Sequence, residues 1–134
     1  MGMMTKEQAR EFAMRWLPAW TGNDPERLAA FYSKDAVYLD PTIPGGLNGR
    51  DALLEYFRKL LSRNPDWVWT QLEPIPLEDG FLNKWLATIP VGESVVRCVG
   101  VCFVQFDGQG LIRRNEVYFD CTELNARWAE LAPR

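Results

Sequence analysis

FYSKDAVYLDPTIPGGLNGRDALLEYF, residues 31–57, is the stretch whose reading decides the fold. It reads as the end of a short helix, one strand, a loop rich in proline and glycine, and a second helix. The strand is apolar through Ala36, Val37, Tyr38 and Leu39, then ends on Asp40, after which Pro41, Pro44, Gly45 and Gly46 turn the chain. An aspartate in that place has two readings. It can open a turn by bonding its own downstream backbone, or its carboxylate can face an interior pocket. Tyr38 lies two residues earlier and shares its face of the strand.

On the N-terminal side, Thr5-Lys-Glu-Gln8 has the form of a capping box. Ala9, Phe12, Ala13, Trp16, Leu17 and Trp20 then recur at helical spacing, which predicts a first helix kinked near its last turn by Pro18 and closed by Gly22. Asn23-Asp24-Pro25 supplies an N-cap and a proline at the first helical position, with Leu28, Phe31 and Tyr32 as the buried side of a short second helix. On the C-terminal side, Asn48 or Gly49 caps a third helix with the stripe Leu53, Leu54, Phe57, Leu60 and Leu61, stopped at Asn64-Pro65.

Residues 67–76 and 81–91 lack helical spacing and flank Glu78-Asp79-Gly80, so they read as an antiparallel hairpin with Pro74 and Pro76 at its frayed end. Residues 94–106, SVVRCVGVCFVQF, form the longest β-branched run, and Asp107-Gly-Gln-Gly110 turns it into a last strand from Leu111 to Phe119. Thr122 to Leu131 reads as a short helical tail. Helices at the start and a four-strand meander at the end define an α+β class, helices on one face of a curved, mostly antiparallel sheet.

Composition narrows the chemistry. A chain of 134 residues fits one domain, 1–134, and its six tryptophans are an aromatic excess that needs an interior. The formal charge of −3, with no basic block longer than Arg113-Arg114, gives no footprint for nucleic acid or an anionic membrane. No apolar run approaches the ~20 residues of a membrane span, and MGMMTKEQAR lacks a signal peptide's apolar core, so a cytoplasmic location is expected. The chain has no histidine, which removes histidine bases and nearly every zinc or facial-triad iron site. No metal and no cofactor is expected. Cys98 and Cys102, four apart on one strand, stand about 13 Å apart at ~3.3 Å per residue and cannot bridge each other.

NDPERLAAFYSKDAVYLDPTIPGGLNGRDALLEYF and FDGQGLIRRNEVYFDCTEL carry a resemblance to the nuclear transport factor 2-like superfamily, which includes ketosteroid isomerase, limonene epoxide hydrolase, scytalone dehydratase and SnoaL-like polyketide cyclases. The resemblance covers about Glu7 to Leu124. It implies a cone-shaped, cystatin-like roll, three N-terminal helices on a bent sheet, enclosing one apolar pocket. Asp40 falls where the isomerases place their general base, and Tyr38 and Asp40 match positions lining the epoxide hydrolase pocket. Trp16 stands at the isomerases' oxyanion tyrosine and Cys102 at their neutral acid. Val117 and Glu116 replace the epoxide hydrolase's last-strand Asp and a neighbouring Arg. Asp120 resembles the last-strand base of SnoaL-like cyclases, although an aspartate there is more often a strand terminator or a cap for the segment beginning at Thr122. Trp16, Trp85 and Phe119 would be pocket walls, and the resemblance turns Asn115 inward, where it could orient a carbonyl. Lys84 and Arg97 read as solvated sheet positions.

Two functions follow. In one, a cofactor-free isomerase, cyclase or dehydratase uses Asp40 on a small apolar carbonyl compound, with Tyr38 or Asn115 polarising its oxygen. In the other, the same fold binds a small ligand or dimerises without chemistry. The run from Val95 to Phe106 carries apolar residues on both faces, Val95, Val99, Val101 and Phe103 against Val96, Cys98, Cys102 and Val104. A two-fold dimer through the sheet is therefore expected.

Overall fold

The computed structural model describes residues 3–131. Helix α1 spans Lys6–Trp16, and Thr5 closes the capping box with Gln8 in both directions. The helix is not simply kinked at Pro18. It ends at Trp16, and Leu17–Trp20 continues as a 3₁₀ turn with Pro18 among its first residues, where a missing N–H costs least. Helix α2 is only Pro25–Ala29, capped by the Asp24 carboxylate on the Arg27 N–H. Tyr32, read as a helix position, instead opens strand β1, Tyr32–Leu39, which starts four residues earlier than its apolar core suggests.

A two-residue strand β2, Leu47–Asn48, pairs back on β1 before helix α3, Arg50–Arg63. The meander follows as β3, Val68–Leu77; β4, Gly80–Val91; β5, Ser94–Phe106; and β6, Ile112–Phe119. Helix α4, Thr122–Leu131, ends the described chain. The six strands form one sheet in the order β2-β1-β6-β5-β4-β3, and β1 lies parallel to β6 while every other neighbour is antiparallel. Pro74 and Pro76 do not fray the hairpin, whose ladder runs on to Leu77 and Gly80. They are accommodated because β3 is the edge strand, so their missing donors cost no inner ladder bond.

Alternation sorts β5 cleanly. Val96, Cys98, Cys102 and Val104 are buried against the helices, whereas Val95 and Val99 are 49% and 53% exposed on the opposite face. Lys84 and Arg97 are exposed as well. The helices cover the concave face, where Trp16, Leu28, Tyr32, Leu53, Phe57, Leu61, Phe81 and Trp85 form the core. Phe12 anchors the narrow end, edge-on to Phe31, Phe81 and Phe106.

Candidate active site

Between the helices and the sheet lies a cavity of about 430 Å³. All six tryptophans, Trp16, Trp20, Trp67, Trp69, Trp85 and Trp128, line it. The aromatic excess of the composition is thus a wall. Trp69 meets Trp85 edge-on at 4.8 Å between ring centroids, and Trp85 meets Phe119 at 5.4 Å. Gly100 makes room for this pair, since a Cβ there would stand 2.6 Å from the Trp85 ring and from Phe119 Cβ.

Asp40 is 8% exposed and lines the cavity where β1 ends. Its two oxygens have different work. Oδ1 accepts from the Thr42 N–H at 2.8 Å, the Thr42 hydroxyl at 2.7 Å and the Ile43 N–H at 3.3 Å, which is the turn-forming role. Oδ2 accepts from the Tyr38 hydroxyl at 2.8 Å and the Tyr56 hydroxyl at 2.6 Å, which is the pocket-facing role. Both sequence readings hold at once. Gly46, with φ at +80°, closes this loop under the Tyr38 carbonyl, so that the chain returns to α3 and delivers Tyr56.

Burial pushes the Tyr38 hydroxyl well above its ordinary value, and the Asp40 charge adds to the shift. Tyr56 is raised as well, by burial first and then by the hydrogen bond it donates to Asp40. Both phenols therefore stay protonated as donors. Burial also pushes the Cys102 thiol up to about 12, so it lines the cavity as a neutral group.

Of the other sequence candidates, Trp16, Trp85, Cys102, Asn115, Val117 and Phe119 all line the cavity beside Asp40 and Tyr38. Asn115 differs in one respect from its expected role. Its Nδ2 donates to the Tyr32 hydroxyl at 2.9 Å, so the atom left free is the acceptor Oδ1, which cannot polarise a carbonyl. Asp120 stands apart from the cavity lining and is exposed. Its Oδ1 accepts from the Thr122 hydroxyl at 2.6 Å and the Thr122 N–H at 2.9 Å, bonds that hold its carboxyl below the usual range. It secures the start of α4.

Sequence reasoning missed Tyr56, which sits between Leu53 and Phe57 on the buried side of α3 and was passed over for the aliphatic stripe. It also missed Thr42 and four of the tryptophans, whose only signal was their number. Lys59 and Arg63, one turn apart on α3, bring positive charge to the cavity lining, together with Asn125 and Trp128 of α4. Among the described residues no group of three or more Cys, Asp or Glu side chains is placed to hold a metal ion.

The model of the SnoaL-like domain matches residues 13–115. The chain belongs to the SnoaL-like domain family. Its fold is that of the nuclear transport factor 2-like superfamily. A protein with a ketosteroid isomerase-like fold from Catenulispora acidiphila, in complex with trimethylamine, superposes at a TM-score of 0.77 and 18% identity, covering 92% of this chain and 98% of that one. A SnoaL-like protein of unknown function from Burkholderia thailandensis gives 0.72 and 15%, over 87% and 98% of the two chains. RV0760c from Mycobacterium tuberculosis gives 0.74 and 20%, over 89% and 96%. At such identities these SnoaL-like and isomerase-like neighbours share the fold. No curated protein matches the chain. Among the described residues no helix of this SnoaL-like domain is long and apolar enough to cross a membrane.

Proposed function

We propose that this SnoaL-like domain is a cofactor-free enzyme of the isomerase, cyclase or dehydratase type, acting on a small, flat, apolar carbonyl compound with Asp40 as general base. The observation that carries this reading is the contact of Asp40 Oδ2 with two tyrosine hydroxyls at the cavity wall. With five donors on its two oxygens, the carboxylate has no acceptor site left over in this arrangement. A hydroxyl hydrogen can rotate, however. When a ligand carbonyl enters, Tyr38 or Tyr56 turns its O–H from Oδ2 to the carbonyl oxygen, which polarises the carbonyl and frees an Oδ2 lone pair. Oδ2 then takes the proton from the adjacent carbon, and the same tyrosine steadies the enolate oxygen. Returning the proton to another carbon gives isomerisation; attack of the enolate carbon on a second carbonyl of the same ligand, whose C=O π bond opens to an alkoxide that takes the proton back from Asp40, gives cyclisation.

The test is exchange of the α-protons of 2-tetralone in heavy water, followed by proton NMR. Asp40→Asn should slow exchange by about 100-fold or more, the usual scale of a general base. Unchanged exchange in that variant would sink the catalytic reading. Trp16 and the neutral Cys102 favour the second reading, a ligand-binding module without chemistry, because neither supplies an acidic hydroxyl or carboxyl donor where the resembled isomerases have one. That reading expects 2-tetralone to bind without exchange.

The exposed apolar face of β5, Val95 and Val99 with Tyr118 of β6, is the surface on which we place a two-fold dimer. Light scattering at micromolar concentration should give about twice the mass of the 15.4 kDa chain. A 15.4 kDa species would count against it.

A further inference from the structure

The cavity wall is apolar for most of its extent, but its charge is unevenly placed. Along α3 the lining runs from Tyr56 through Lys59 and Leu60 to Arg63 and Asn64, one face of the helix. Tyr56, at the near end, holds Asp40. Lys59 and Arg63 are exposed, so they stand at the mouth of the cavity, while Asp40 lies deeper at 8% exposure. Among the described residues of the lining Asp40 is the only carboxylate, and the mouth is therefore doubly positive in a chain whose net charge is −3. Lys59 reaches Glu55, outside the lining, at 3.8 Å with both side chains in solvent, a pair that contributes little. No acid among the described residues stands within ion-pair distance of Arg63. A cation also suits the negative end of a helix, but it does so on any face of the last turn. Here both cations are on the face that meets the cavity.

We propose that the mouth is an anion subsite, at which Lys59 and Arg63 receive a carboxylate carried by a compound whose flat apolar body fills the aromatic walls. This rests on the reading of the cavity as the site of a carbonyl compound and narrows that class to keto acids. The guanidinium fork of Arg63 matches the two oxygens of a carboxylate, and Lys59 adds a second charge one turn earlier. Spacing along the helix sets the length of the compound. Lys59 is three and Arg63 seven residues beyond Tyr56, roughly 5 and 10 Å along the axis at ~1.5 Å per residue. The carboxylate therefore lies about one to two fused rings from the carbon that faces Asp40. Repulsion between like charges keeps it from the Asp40 end, so the same arrangement also fixes which way round the compound enters.

Calorimetric titration of the full chain with 2-naphthoate and 2-naphthamide at neutral pH tests this. The two have nearly the same shape, but only the first is charged. At about 0.02 M salt the naphthoate should bind about fivefold more tightly, the scale of two solvent-exposed ion pairs. At about 0.5 M salt the gap should close as the charges are screened. 2-Tetralone should displace the naphthoate, which places it in the cavity. Combining Lys59→Gln with Arg63→Gln, both exposed, should abolish the preference and keep the binding of the amide. Asp40→Asn should keep the preference. Equal binding of the two probes by the parent, a preference that survives in the double variant, or naphthoate that 2-tetralone does not displace overturns the subsite. A preference lost in Asp40→Asn would put the carboxylate at the other end of the cavity and overturns it too. Failure of both probes to bind overturns the subsite together with the cavity as a ligand site. A preserved preference alongside unchanged α-proton exchange in Asp40→Asn keeps the subsite and sinks the catalysis alone.

Discussion

Asp40 and Asp120 end neighbouring parallel strands and carry the same local device. Each stands two residues before a threonine whose N–H and hydroxyl both bond its Oδ1. Each reads identically as Asp-x-Thr. They differ in what meets the second oxygen. Around Asp40 the loop of Pro41 to Gly46 folds back, α3 brings Tyr56, and β1 brings Tyr38, so Oδ2 is enclosed in an aromatic wall. Around Asp120 the chain goes directly into α4 and the carboxylate stays in solvent. A local motif sets where an aspartate is held; the elements packed over it decide whether it can do chemistry.

The largest expected contrast is kinetic. Where Asp40→Asn slows α-proton exchange of 2-tetralone by about 100-fold or more, Asp120→Asn should leave the rate at the parent value. A comparable loss in both would erase the distinction between the two corners.

Stability should separate them next. Asp40→Ala removes the acceptor of five donors, two of them hydroxyls turned into the interior, and should cost about 2 kcal/mol in a denaturant melt. Asp120→Ala, losing only solvated bonds, should melt much closer to the parent than Asp40→Ala does.

Alkali probes the same corner from the phenol side. Because Tyr38 and Tyr56 are raised in the folded protein, the unfolded chain gives up their protons first. Their contribution to stability is full below a pH of about 10 and declines as pH climbs toward their folded values. Absorbance at 295 nm should show these two phenols silent until alkaline unfolding begins. In Asp40→Asn, with the neighbouring charge gone, Tyr56 should ionise at lower pH than in the parent. An unchanged titration would mean that Asp40 does not hold the two hydroxyls.

The smallest effect sharpens the comparison most directly. Thr42→Val and Thr122→Val each delete one hydroxyl from the same motif. The first should lose about 1 kcal/mol, since its bond is partly buried. The second should lose much less near neutral pH, because its bond is solvated, and that small loss should vanish in acid as Asp120 is protonated. At acid pH the parent's Asp120 contribution, present above its unfolded value, is lost as pH falls through its lower folded value. In Thr122→Val that loss should begin at higher pH, measurable as the midpoint of acid melting.

Much of the fold was legible because it rests on local rules. The capping box at Thr5, the Asp24-Pro25 start, the turn at Asp79 and the alternation along β5 each act over a few residues. Alternation likewise put Tyr38 and Asp40 on one face of β1, and the family resemblance turned Asn115 and Val117 toward the same pocket, so much of the cavity's sheet wall could be read. The boundary at Tyr32 could not, because a tyrosine after Leu28 suits a helix face as well as a strand start. Only its parallel pairing with Ile112 of β6, distant in sequence, settles the matter.

Sequence alone determined the α+β class, the inward faces of the strands, an acid at the end of β1 and an aromatic surplus of six tryptophans. The tertiary structure decided that all six tryptophans share one cavity, that Tyr56 meets Asp40, that Asp120 does not line the cavity, and that Asn115 donates its amide N–H to Tyr32. The physical reason is the range of the interactions. Spacing and capping are fixed by backbone geometry within a turn or two. Which side chains close around a carboxylate depends on contacts between helix and sheet that no local pattern encodes.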